Sequence, residues 1–440
     1  MLQPFQRSKA RTFTSPVPFP VTIVNNSASL KDVFIIIKGI DASIPNNKKQ
    51  QFYDLANKKW GNSAVAVKLS SLPSSTSPKG NIINMPHINS GIVYLSFGKA
   101  ITFSGLVPPD FANPSNPNFN ITYDKFEISF LPTDGFPYID ITNVDFFCVP
   151  LQLEETLSNG TKNGPKGFSV DQATVFTSFS SNLKANNWSA IIQEIKNTTT
   201  QKFEVLRVIA PNKALVEQPP VSHKFDASLF QHYVDHVWDY YKSGSGKSIK
   251  VDMSEISKAN PKYKNVVFEG VVSNGKFVFS GKDAQGNPLP AISFVKPVGS
   301  DLIKDSIFGC ANLFAAPNNT PTSVPAKNLG AAFNVGILAH KSIPDAVLSL
   351  MPPTSTLSPN GKNWTSYKSN FYNNTIQIPD PANPAKKIDI ECYNVYAGVI
   401  HANAIHRDDY AFAFDDVTQS DSTLANKNAT GAIVTIQKLA

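Results

Sequence analysis

Short apolar runs broken by Pro, Asn and Gly clusters occupy the first third of the chain. Segments 21–24, 33–37, 64–69, 91–97, 126–130 and 138–153 read as strands of a β-sandwich or barrel. Beyond the Gly-, Asn- and Lys-rich stretch 159–167 the spacing of apolar residues changes to that of helices, predicted over 170–183, 188–195, 225–241 and 326–350. In 225–241, Leu229, Tyr233, His236 and Tyr240 share one face, with Asp226 available as a cap. Strand patterns at 205–209, 266–272, 276–280 and 292–295 alternate with these helices. After the Pro-rich 379–384, the segments 389–399, 410–414 and 433–436 return to the strand pattern of the start. The expected architecture is mainly β: one barrel from 15–160 plus 385–440, and an inserted α/β (α+β) domain over 165–375.

Alternation is cleanest at 123–130, where Phe126, Ile128 and Phe130 face a core while Lys125, Glu127 and Ser129 face outward. Asp134-Gly135 predicts a turn, so the chain from Tyr138 folds back antiparallel, with Tyr138, Asp140 and Thr142 on one face. Val144, Asp145 and Phe146 reverse that parity, and a bulge near Asn143 would re-aim Asp145 to the face of Thr142. A hairpin centred on Asp134-Gly135 sets Glu127 opposite Thr142, with Asp145 on the order of 10 Å further along at ~3.3 Å per residue. Two outward carboxylates on a sheet can simply be solvated. At this separation they also suit inverting glycoside hydrolysis, which needs about 6.5–9.5 Å between carboxyls, better than retention, which needs about 5–5.5 Å.

Composition narrows the field. The 440 residues are 41% hydrophobic and 17% charged, enough apolar material for more than one core and too much for disorder; 33 prolines and 23 glycines favour strands joined by turns. The net charge of +7 raises the question of nucleic acid, but the lysines are scattered and the pairs at 48–49, 58–59 and 386–387 lack interleaved aromatics, so no nucleic-acid partner is expected. No apolar run reaches the ~20 residues of a membrane span, so no membrane partner is expected either. Residues 1–20 show no apolar secretory core. Cys148, Cys310 and Cys392 form no CxxC pair and permit one disulfide at most; Cys148, after apolar neighbours, reads as a core thiol. Gly244-Ser245-Gly246-Lys247-Ser248 lacks the first glycine of a phosphate-binding loop, and His232 and His236 lack the glutamate of a zinc helix, so neither cofactor nor metal is predicted.

Phe126-Glu127-Ile128-Ser129 and Tyr138-Ile139-Asp140-Ile141-Thr142-Asn143-Val144-Asp145-Phe146-Phe147 resemble the EFTL and YDVSLVDGFN segments of thaumatin-like proteins. Tyr410-Ala411-Phe412-Ala413-Phe414-Asp415-Asp416 with Ser422-Thr423-Leu424 is similar to their YSYAYDD and STF blocks, and Val21 to Asn26 to their first strand. With three cysteines and a large insertion, the chain looks most like glycoside hydrolase family 64, the laminaripentaose-producing β-1,3-glucanases, and His401 to Ile405 is similar to a histidine-containing segment of that family.

The resemblance implies a thaumatin-like barrel, a wide groove against the inserted domain, and a secreted monomer acting on β-1,3-glucan. It implies Glu127 as general acid and Asp145 as general base, with Ser129, Tyr138, Asp140, Thr142, His401, Asn403, Asp408 and Asp415 contacting substrate. Tyr138 stands where the hydrolases use tryptophan, and Phe147-Cys148 replaces a glycine-containing turn. The competing expectation is a thaumatin-like protein that binds glucan, as an antifungal would, without cleaving it.

Overall fold

The computed structural model describes residues 18–27, 32–185, 188–197, 200–214, 225–343 and 345–439. Residues 1–17, most of the segment in which no apolar secretory core was read, lie outside these.

Two sheets enclose the first core. One runs in the spatial order Lys162–Gly167, Leu151–Leu157, Ala429–Ile436, Phe19–Asn25, Lys79–Met85, Ser74–Thr76. The other runs Pro137–Ile141, Tyr123–Phe130, Ile88–Phe97, Val33–Asp41, Gln50–Asp54, Lys59–Gly61. Alternate apolar residues of both, such as Val21, Ile23, Ile35, Val93, Phe126 and Ile128, meet in one buried cluster, which is what makes this a sandwich. The chain's last strand, Ala429–Ile436, pairs parallel to Phe19–Asn25 and so ties the two ends into one sheet.

The second core gathers a five-stranded sheet, in the order Ile292–Val295, Lys276–Ser280, Val267–Ser273, Ser248–Asp252, Val347–Leu350, with helices Gln172–Ala185, Phe230–Tyr240, Ser323–Val335 and Val395–Asn403. Aromatic edges dominate its packing: Phe308 meets Phe230 at 4.9 Å and Trp188 at 5.2 Å between ring centroids. Fully burying each such ring contributes about 1.5–3 kcal/mol.

Several predicted elements differ. Segment 188–195 forms a short 3-10 turn, Ser189–Ile191, and a strand, Ile192–Lys196, because β-branched residues there pair with Phe203–Ile209. The predicted helix 326–350 stops at Val335, where Gly336 takes the left-handed C-cap at φ 78°, and the chain resumes as the strand Val347–Leu350. In the helix Phe230–Tyr240 the buried face is Phe230, Tyr233, Val234, Val237 and Trp238, so His232 and His236 point to solvent. Segment 389–399 ends as a strand at Glu391 and becomes the helix Val395–Asn403, capped by the Asn394 side chain. Segment 410–414 is a loop before the 3-10 turn Asp415–Thr418. Both 395–400 and 411–412 pack into the second core, and the chain rejoins the first at Leu424. All three cysteines are free and buried; Cys148 Sγ donates to the Leu206 carbonyl at 3.1 Å, as a core thiol would.

The two cores share a seam. Strand Tyr123–Phe130 belongs to the sandwich, but Phe146–Phe147 leaves it and pairs with Phe203–Ile209 of the second core. At the same seam the buried Arg207 guanidinium donates to the carbonyls of Phe111, Phe119 and Ile121 at 2.7–2.9 Å. Three carbonyl acceptors offset the cost of desolvating that charge.

Candidate active site

Strand Tyr123–Phe130 is held centrally between Ile88–Phe97 and Pro137–Ile141, which fixes the direction of every side chain on it. Glu127 pairs across the hairpin with Asp140, not with Thr142: the turn absorbs two residues fewer than a symmetric loop about Asp134-Gly135 would. Gly135, at φ 73°, makes that turn possible. Thr142, just past the strand's end, still reaches the acid, and its hydroxyl donates to the Glu127 carboxyl group.

No bulge at Asn143 re-aims Asp145. The chain changes sheets there instead. Asn143 is buried, its N–H donates to the Tyr410 carbonyl at 2.8 Å and its amide to Asp409 at 2.7 Å, while its carbonyl accepts from the Tyr396 hydroxyl at 2.7 Å. These bonds swing Asp145 onto the Lys125 and Glu127 face. Lys125 Nζ lies 2.8 Å from Asp145 Oδ2, and Lys213 Nζ of the second core lies 3.3 Å from Oδ1. Lys125 and Glu127 are two residues apart on one strand face, about 6.6 Å, so both carboxylates border one lysine.

The two carboxylates are displaced in opposite directions. Burial raises the pKa of the half-buried Glu127, Lys125 opposes this and Asp145 reinforces it, with a net upward shift. Burial would also raise Asp145, but Lys125 and Lys213 outweigh it and hold Asp145 well below the ordinary carboxylate range. Beside Glu127, Asp140 is 1% exposed and Oδ1 has no hydrogen-bond partner among the described residues. Burial first, then the nearby Glu127 and Asp421, push Asp140 well above its ordinary value, which favours its neutral form.

The other residues expected to contact substrate divide into two groups. Tyr138 stands partly exposed beside Phe136, ring centroids 5.4 Å apart, on the same face as Glu127. Ser129 pairs with Tyr138, and its hydroxyl accepts the Ser90 N–H at 3.1 Å, where a bulge between Ile88 and Gly91 needs that acceptor. Asp408 is partly exposed between Lys166 at 3.5 Å and Lys368 at 3.9 Å.

His401 and Asp415 are turned into the fold: they are 1% and 0% exposed and lie 2.8 Å apart. Burial disfavours the charge on His401, but Asp415 outweighs it and lifts the pKa to about 9. His401 Nδ1 meets the Arg407 carbonyl and Asp415 accepts the Ala411 N–H, so the pair ties the helix Val395–Asn403 to the loop after it. Asn403 is likewise engaged inside the fold, donating to Ser178 and to the Val399 carbonyl.

That loop positions residues the sequence reading passed over. Segment 409–424 runs along the edge of Pro137–Ile141, through the Ile139 and Leu424 backbone pair and the Ser422 hydroxyl on Ile141. It brings Asp421 electrostatically close to both Asp140 and Asp416. Asp416, raised to about 6 by burial, opens onto a cavity of 620 Å³ lined also by Glu255, Lys327, Ser355 and Trp364. An acidic strip therefore runs from Glu127 towards the second core, on a chain whose net charge is +7. Among the described residues no group of three or more His, Cys, Asp or Glu could hold a metal, and no helix is long and apolar enough to cross a membrane.

A family model for glycoside hydrolase family 64, described as beta-1,3-glucanase, matches residues 18–436. The chain belongs to that family. Two curated relatives named glucan endo-1,3-beta-glucosidase, from an Arthrobacter species and from Cellulosimicrobium cellulans, are each 25% identical over 363 residues, 80% of this chain. The chain spans about half the length of these relatives, 53% of each. Among solved structures, a laminaripentaose-producing beta-1,3-glucanase in complex with laminaritetraose matches at TM-score 0.64 and 23% identity, over 96% of this chain and 99% of that one. A family 64 beta-1,3-glucanase domain from Clostridium beijerinckii matches at TM-score 0.63 and 17% identity, over 98% and 100%. The mainly β architecture with its several sheets is thus the family 64 fold.

Proposed function

We propose that this family 64 member hydrolyses β-1,3-glucan internally with inversion of configuration and releases short laminari-oligosaccharides. Glu127, kept protonated, donates to the glycosidic oxygen. Asp145, kept ionised, takes a proton from the water that attacks the anomeric carbon from the opposite face. The observation that carries the reading is the divergence of two carboxylates bordering one lysine, because acid and base roles need protonation states pushed apart.

Tyr138 supplies a face for a pyranose ring, and Asp408 and Asp416 supply acceptors for hydroxyls. The 620 Å³ cavity beside Asp416 has room for further sugar units along the same strip. We read the sandwich as thaumatin-like, the second core as inserted within it, and the polymer substrate as implying a secreted protein acting as a monomer. The closure of the first sheet by the chain's end supports the insertion, with the return placed near Leu424.

The test is product analysis on linear β-1,3-glucan with the anomer followed by NMR. Inverted products, lost with Glu127→Gln or Asp145→Asn, are expected. Retained configuration, or turnover surviving Glu127→Gln, overturns the assignment, and binding without products would favour the glucan-binding alternative.

A further inference from the structure

Lys125 is an unusual residue for its place. It sits mid-strand, paired with Tyr94, at 5% exposure, and its Nζ lies 4.9 Å from the centroid of the Phe146 ring. Removing an ammonium from water costs several kcal/mol unless it is well partnered, and an apolar side chain of similar length would fill such a site more simply. Among the described residues the single carboxylate within ion-pair distance of Lys125 is Asp145. The neighbouring Asp124 spends its carboxylate on the N–H groups of Cys148 and Val149, at 2.9 and 2.8 Å.

We propose that Lys125 is a positioning residue for the reaction, its buried ammonium fixing the Asp145 carboxylate on the water side of the scissile bond. This rests on the hydrolase reading above and goes beyond it by naming what holds the base. Asp145 lies in the segment where the chain changes sheets, so no strand pairing fixes its side chain. Lys125 comes from the same strand as Glu127 and therefore ties the base to the acid through rigid backbone. Lys213 also contacts Asp145, but at 45% exposure solvent and salt screen it. The charged and titratable groups around this centre are Asp124, Lys125 and Glu127 from one strand, Tyr94 from the next, Lys213 from the second core and Tyr396 from the helix Val395–Asn403.

The test is the pH profile of kcat/KM on soluble laminarin for wild type, Lys125→Met, Lys125→Arg and Lys213→Met. With Lys125→Met the acidic limb should move up by about one to three pH units, the shift an adjacent opposite charge commonly produces. At low pH kcat should fall at least about tenfold, one pH unit of limb shift corresponding to a factor of ten. Lys125→Arg should keep the limb near its wild-type position, and Lys213→Met should move it less. A uniform loss at every pH with an unmoved limb would make Lys125 merely structural and overturn the proposal. If Lys125→Met does not fold, Lys125→Gln is read by the same criterion. Asp145→Asn separates the two ideas: full turnover there removes the base assignment and Lys125 with it, whereas an inactive Asp145→Asn beside an unmoved Lys125→Met limb removes the Lys125 proposal alone.

Discussion

Glu127 and Asp140 face each other as a directly paired position of one antiparallel hairpin, one half-buried and the other fully enclosed. Burial and the adjacent Glu127 raise Asp140 well above its ordinary value and so favour its protonated form. Its raised folded pKa means that folding binds a proton, so Asp140 lowers stability progressively as pH rises above its unfolded value of about 3.9. Replacing Asp140 with Asn, which resembles the neutral acid, should raise the melting temperature at pH 7 and leave it unchanged below about pH 4. Thermal unfolding from pH 3 to 8 checks this.

The acid role proposed for Glu127 requires it to be protonated, and burial raises its pKa. Activity on laminarin should therefore persist above the ordinary carboxylate range and fall on a basic limb as Glu127 ionises. Glu127→Gln should lower kcat by about 10²–10⁴, the usual contribution of a positioned proton donor, while calorimetry on laminari-oligosaccharides shows binding retained.

The whole molecule should be most stable in mild acid. Burial raises Asp124 and Asp416 to about 6 and Asp409 to about 7, and each loses stability as pH rises from its unfolded value to its folded one. His401, held charged by Asp415, contributes stability that is complete below about pH 6.5 and lost on the way to about 9. Asp145, held low by Lys125 and Lys213, adds stability that is complete only by about pH 5, so the melting temperature should decline continuously from about pH 5 to about pH 9. A maximum at neutral pH would contradict this.

His401→Ala strands a fully buried Asp415 without its counter-charge. Breaking a buried pair by one partner typically costs about 3–5 kcal/mol, so a large drop in the denaturation midpoint is expected. Below the new midpoint, KM should change little if the buried His401 serves only to hold the fold.

Gly91 is pressed against the acid strand: a Cβ there would stand 2.6 Å from the Ile128 carbonyl and 2.5 Å from the Ile88 side chain. Gly91→Ala should cost about 1–3 kcal/mol, as overpacking does. By shifting the residue next to Glu127 it should also reduce kcat more than it reduces glucan binding.

The alternation at 123–130 was enough to place Lys125 and Glu127 on one face of the strand, though the fold covers Lys125 there, and the resemblance was what singled out Glu127 and Asp145 for the proposed roles. What the pattern could not supply was the pairing. A hairpin's register depends on how many residues its turn absorbs, so Asp140 and not Thr142 came to face Glu127. The predicted bulge near Asn143 was a change of sheet, since local parity reports that a strand is re-aimed but not which sheet receives it. His401 and Asp415 sit in matching segments, yet only three-dimensional packing shows them turned inward. Lys213 approaches from the other core, across 68 residues of sequence from Asp145, and no local signal could link them. The strands 276–280 and 292–295 were readable because they begin and end at turn residues.

The switch of sheets at Asn143 means that neither half of the molecule contains both of the carboxylates proposed to act. Glu127 is anchored in the sandwich, while the backbone on either side of Asp145 is gripped by partners from beyond it, Tyr396 and Tyr410 before, Ala210 and Ile209 after. With one carboxylate carried by the sandwich and the other delivered from outside it, the gap between them is a dimension of the joint and not of either part.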